Sequence, residues 1–112
     1  MPQLTITSNQ LLDTDSSQLK MLSETVAKGL GKPESYVMVS LTHNPNMLFV
    51  GTNEALAYCE LKSLGLQESQ TTALCERLCN SLNKLYGIPP SRIYIEFSSP
   101  PRAMWGWNNK TF

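Results

Sequence analysis

The stretch Gly31-Lys32-Pro33-Glu34-Ser35-Tyr36-Val37-Met38-Val39 returns 56 positions later as Gly87-Ile88-Pro89-Pro90-Ser91-Arg92-Ile93-Tyr94-Ile95. In each copy a glycine stops a helix, a proline two residues on prevents its continuation, and β-branched residues begin a strand. Convergence on common turn chemistry explains such an echo, and so does an internal duplication. Duplication also accounts for what precedes each copy. Leu19, Leu22, Val26 and Leu30 form an apolar stripe at helical spacing before the first, and Leu74, Leu78, Leu82 and Leu85 form one before the second. Asp15-Ser16-Ser17-Gln18 has the pattern of a capping box at the start of the first helix.

Strand signals flank both helices. Leu4-Thr5-Ile6 precedes the first, and Tyr36 to Leu41 follows it as a β-rich run that reads as a buried strand. Ala55 to Leu64 precedes the second helix, although its Ala and Leu content suits a helix as well, and Ile93 to Phe97 follows it. Trp105-Gly106-Trp107 reads as a short terminal strand. The predicted fold class is therefore α+β: two βαβ units about a pseudo-twofold axis, forming a four-stranded mixed sheet with two helices on one face. The other face of the sheet is left bare, which favours an oligomer that covers it.

At 112 residues the chain suits a single domain, 1–112, with one modest core. Nine Lys+Arg balance nine Asp+Glu, and the charged fraction of 16% lies below the roughly 25% of an average domain. This balance argues against nucleic acid as a partner. No apolar run approaches the ~20 residues that span a bilayer, and the start lacks a basic stretch followed by an apolar core. The expectation is a soluble, cytoplasmic protein without a signal peptide. Cys59, Cys75 and Cys79 are too few for a disulfide scaffold, and a reducing compartment suits them.

Pro2 is the leading candidate for chemistry. Removal of Met1 turns its ring nitrogen into a free secondary amine, starting from an α-amino pKa of about 8. Burial or a nearby cation lowers that value, and the neutral amine then moves a proton on a carbonyl compound as base and acid in turn. Lys32 lies in the first turn where the second carries Ile88. It reads either as a solvated lysine near a helix end or as a cation facing Pro2 that attracts a carboxylate or enolate oxygen. His43 reads as a loop histidine. Cys75 and Cys79, an i, i+4 pair without a third ligand pattern, read as core rather than metal ligands. There is no Gly-rich phosphate loop, nucleophile elbow or Cys-x-x-Cys. Tyr94, Trp105, Trp107 and Phe112 read as core, as a pocket wall or as a subunit contact.

Together these residues resemble the macrophage migration inhibitory factor family of the tautomerase superfamily. The resemblance runs from the Met-Pro start through Gly31-Lys32-Pro33, Ser63-Leu64-Gly65 and Arg92-Ile93-Tyr94-Ile95 to Gly106-Trp107-Asn108-Asn109-Lys110-Thr111-Phe112. It implies a homotrimer whose sheets form a central barrel, with active sites between subunits and no cofactor. It implies keto–enol tautomerisation of phenylpyruvate or dopachrome, with Pro2 as catalytic base. Lys32, Ser63 and Leu64 then line the substrate site with the aromatic residues Tyr36, Tyr94, Trp107 and Phe112, Tyr94 coming from the neighbouring chain. The alternative is a non-enzymatic, cytokine-like trimer that contacts a protein receptor through a vestigial pocket.

Two positions depart from the pattern. Leu56-Ala57-Tyr58-Cys59 lacks the first thiol of the vertebrate cytokine's Cys-x-x-Cys, so dithiol redox activity at that motif is not expected. Glu96 stands where better-known animal members carry Asn beside the proline. An ionised Glu96 holds the proton on Pro2 and repels an anionic substrate. Alternatively it pairs with Lys32 or Arg102 and is electrostatically silent.

Overall fold

The computed structural model describes residues 1–12 and 16–112. In chain order the main elements are β1 (Gln3–Ser8), α1 (Ser16–Leu30), β2 (Met38–His43), β3 (Ala57–Lys62), α2 (Glu68–Tyr86), β4 (Ile93–Ser98) and a hairpin of β5 (Gly106–Trp107) and β6 (Lys110–Thr111). Asp15 of the predicted capping box lies outside the described residues.

The sequence echo is reproduced in the backbone. Gly31 and Gly87 adopt left-handed φ values of 67° and 69°, a conformation that costs a side-chain-bearing residue energy. Pro33 and Pro89 follow at φ −62° and −63°, each leading into a one-turn 3-10 helix, Glu34–Tyr36 and Pro90–Arg92. β1 pairs parallel with β2, β3 pairs parallel with β4, and β1 and β3 are antiparallel neighbours in the order β2-β1-β3-β4. Two βαβ halves thus meet head to tail at the centre of one mixed sheet.

Alternation on the central strands decides where the core sits. Leu4, Ile6, Cys59 and Leu61 are fully buried and pack in one cluster with Leu22, Val26 and Leu30 of α1 and Leu74, Leu78 and Leu82 of α2. Each such leucine contributes about 2 kcal/mol by leaving water. The opposite face is bare and mostly polar. Across it run Ser40, Thr5, Glu60 and Glu96 in one row and Thr42, Thr7, Tyr58 and Tyr94 in the next. The Tyr58 hydroxyl lies 2.7 Å from Glu96 Oε2 and 3.2 Å from Glu60 Oε1, one proton serving two carboxylates.

Two expectations need correcting. β2 is an edge strand rather than a buried one: Val39 and Leu41 are half-buried under α1, while Met38, Ser40 and Thr42 are exposed. Gly106-Trp107 is one arm of a hairpin whose second arm, β6, was not anticipated. Asn108 and Asn109, at φ 53° and 68°, form its two-residue turn, the arrangement that matches strand twist.

A second tight turn closes the segment between β2 and β3. Phe49 and Thr52 bridge across Val50 and Gly51, both at positive φ, and Val50 is an exposed β-branched residue held in a strained region. The buried Arg92 clamps this segment: its guanidinium donates to the carbonyl oxygens of Phe49, Thr52, Glu54 and Ala55 at 3.0–3.2 Å. The same cation lies 5.4 Å from the Phe49 ring centre, and Phe49 in turn meets Tyr94 edge to face at 4.7 Å.

Candidate active site

Pro2 enters β1 fully buried, and its carbonyl accepts a 3.0 Å hydrogen bond from the Met38 amide, so its position is set by the sheet. Its nitrogen is here in peptide linkage to Met1. The free amine therefore belongs to Met1, which reaches into two adjoining cavities of about 350 and 400 Å³. Pro2, Val37, Met38 and Trp105 line the larger one; Lys32, Leu64, Arg102 and Phe112 line the smaller. Tyr36 and Trp107 border both. Trp107 and Phe112 lie nearly parallel, 14° apart with centres at 6.3 Å, giving a flat aromatic wall.

Lys32 owes its place to the end of α1. Its amide donates to the Ala27 carbonyl and the Gly31 amide to Lys28, a Schellman ending that turns the chain back over the sheet. The Lys32 ammonium then donates to Ser63 Oγ at 2.9 Å and to the Leu64 carbonyl at 2.6 Å. Two of its three protons are thereby committed, and one remains for a ligand. Ser63 and Leu64, just beyond β3, are buried and serve as the anchor for that cation.

The electrostatics favour neutral amines and bound anions. Burial, then the Lys32 charge, then Arg102 hold the Met1 amine below its usual range. Burial and the Arg102 charge likewise lower Lys32. Among the described residues no Asp or Glu lines either cavity.

Pro2, Lys32, Ser63, Leu64, Tyr36, Trp107 and Phe112 thus converge on this region within one chain. Tyr94 and Glu96 do not. Both project from the bare face of β4, Tyr94 against Phe49 and Glu96 toward Tyr58. Within the chain Glu96 pairs with neither Lys32 nor Arg102. No sequence pattern marks Arg102, which lines the smaller cavity, and Trp105, which the sequence allows as core, pocket wall or subunit contact, lines the larger. Pro100-Pro101, immediately before Arg102, was the available signal that the chain leaves β4 stiffly and folds back.

A profile described as Macrophage migration inhibitory factor (MIF) matches residues 1–112. The chain belongs to that family. It is 38% identical over 114 aligned positions to the macrophage migration inhibitory factor homolog of Brugia malayi, covering 100% of this chain and 99% of the relative. The crystal structure of the MIF homologue from Prochlorococcus marinus superimposes with a TM-score of 0.93 at 41% identity, covering 98% of both chains. MIF from Trichinella spiralis gives a TM-score of 0.91 at 32% identity over 98% of this chain and 99% of that one. The MIF fold of two helices on a four-stranded mixed sheet is thus the fold of this chain. Among the described residues no helix is long and apolar enough to cross a membrane, and no cluster of three or more His, Cys, Asp or Glu is arranged to hold a metal ion.

Proposed function

We propose that the protein is a keto–enol tautomerase of the phenylpyruvate or dopachrome type, with Pro2 as the base once Met1 is removed. The observation that carries this reading is the buried Pro2 on the wall of an aromatic-lined cavity, beside a Met1 amine that burial first, then Lys32 and Arg102, hold below its usual range. With Met1 gone, the amine sits one residue further along the chain, at the wall of the larger cavity. In neutral form it takes the α-proton of a keto acid. The remaining Lys32 proton, with backbone amides near Leu64, stabilises the enolate oxygen, and the protonated ring then delivers its proton to that oxygen, giving the enol. No cofactor enters this scheme.

The proposal includes a homotrimer whose central barrel is lined by the polar face of the sheet, with the site completed by Tyr94 and Glu96 of a neighbouring chain. Glu96 in that place keeps the proline amine protonated and limits turnover of anionic substrates. The presence of Met1 in both cavities favours a second reading, a receptor-binding trimer with a vestigial pocket, for any form of the protein that retains Met1.

Phenylpyruvate tautomerisation, measured on protein whose intact mass confirms loss of Met1, tests the proposal. Pro2→Gly should cost about 100-fold in kcat/KM, the lower end for losing a positioned acid–base group. The rate of the parent protein should rise with pH as the amine loses its proton, and in Glu96→Asn that rise should begin at lower pH, since the catalytic form is the deprotonated one. A Pro2→Gly rate equal to the parent's overturns the tautomerase reading. A receptor response untouched by that substitution supports the second.

A further inference from the structure

The smaller cavity holds two cations with different unfilled capacity. Lys32 has two donors fixed on Ser63 and Leu64. Arg102 has no protein hydrogen-bond acceptor and no carboxylate partner among the described residues; its guanidinium carbon lies 6.0 Å from the Phe112 ring centre. Its backbone is nevertheless well placed. Arg102 opens a 3-10 turn in which the Met104 amide donates to Pro101 and the Trp105 amide to Arg102, while the Phe112 amide closes on Trp105. The arginine is thus held beside the aromatic wall by the C-terminal hairpin, and its planar fork is left free. That fork matches a carboxylate through two parallel hydrogen bonds, which a lysine does not reproduce.

We infer that this cavity selects aromatic acids with two anionic groups: the keto-acid end at Lys32, whose free proton faces the enolate oxygen beside the carboxylate, the ring along Tyr36, Trp107 and Phe112, and a second carboxylate on the ring at Arg102. The inference deepens the proposed function by assigning Arg102 as a specificity residue, and it rests on that function only for where the reacting end lies. Two cations facing an apolar wall without a counter-ion repel each other: burial is the main cause that lowers the Lys32 and Met1 amines, and the Arg102 charge adds to it in both, so a doubly charged ligand relieves a repulsion that a single charge relieves only in part.

Binding is tested apart from turnover by titrating Met1-free protein with terephthalate, a dianion, and with benzoate, a monoanion, following tryptophan fluorescence at low salt. Terephthalate should bind about tenfold more tightly or better, the scale of one charge-assisted hydrogen-bonded pair. In Arg102→Gln the ratio of the two affinities should collapse towards one, and Arg102→Lys should restore only part of it. In turnover, a para-carboxylated phenylpyruvate should show a lower KM than phenylpyruvate at similar kcat, an advantage lost in Arg102→Gln. Arg102 is exposed, so the variants should melt as the parent does. A terephthalate preference that survives Arg102→Gln, or no preference in the parent, overturns the inference. A preference that depends on Arg102 in a protein without tautomerase activity sustains the binding inference and defeats the catalytic reading alone.

Discussion

Replacing Arg92 with Met removes a buried cation while keeping the length of its apolar stem. The guanidinium makes four hydrogen bonds, all to backbone carbonyls of the segment from Phe49 to Ala55. Thr52 and Glu54 are exposed, so their carbonyls regain water in the variant. Phe49 and Ala55 are half-buried, and their carbonyls recover least. At about 1.5–3 kcal/mol for each bond from a charged donor, two unrecovered bonds set a loss of roughly 3–6 kcal/mol, a large share of the ~5–15 kcal/mol by which domains are stable. The strained Val50 turn loses its clamp in the same step, and Phe49 loses the cation beside its ring. Thermal unfolding, compared at equal protein concentration because assembly shifts the midpoint, should show Arg92→Met melting at least about 10 °C below the parent. Near-ultraviolet circular dichroism should also change as Phe49 and Tyr94 lose their edge-to-face contact. Arg92→Lys should recover less than half, since one ammonium does not span four carbonyls. An Arg92→Met protein that melts within about 2 °C of the parent would refute this account of the clamp.

Two further outcomes follow from groups around the sheet. Glu96→Asn should raise phenylpyruvate turnover near neutral pH, by up to about tenfold for each unit by which the proline amine is released; an unchanged or lower rate contradicts the assigned role of Glu96. Burial pushes the Cys59 thiol up to about 12 and the Cys79 thiol up to about 11, each with help from neighbouring thiols. Iodoacetamide at pH 8 should therefore label half-buried Cys75 and leave the other two unmodified. Mass spectrometry showing Cys59 or Cys79 labelled as fast as Cys75 would contradict it.

The duplicated turn made the architecture readable because its chemistry is local. A left-handed glycine, a fixed proline φ and β-branched followers set backbone angles without reference to distant residues. Lys32 was readable for the same reason, as the polar member of an otherwise matched pair of turns. The burial of β2 was not: Val37, Val39 and Leu41 have the composition of a central strand, and only the order β2-β1-β3-β4 puts them at an edge. Arg102 depends on the route of the chain after β4, fixed by hydrogen bonds within the C-terminal hairpin rather than by any spacing to Lys32. Tyr94 and Glu96 lie away from the cavities in one chain, so their proposed role belongs to an assembly that no local pattern encodes.

The paired turns were built to one backbone plan yet filled in opposite ways. Lys32 projects from its turn into the candidate site, whereas Ile88, its counterpart, is fully buried and belongs to the core. Once a chain carries two copies of one support, one copy suffices to hold the fold's interior together, and the other is released from that duty. A lysine in place of Ile88 would be an uncompensated charge in the core, while the side chain at position 32 faces a cavity and meets the protein through Ser63 and the Leu64 carbonyl. Novelty in this architecture is therefore channelled to one of its two matching corners, and new ligand preferences should arise around Lys32 and the C-terminal hairpin that faces it.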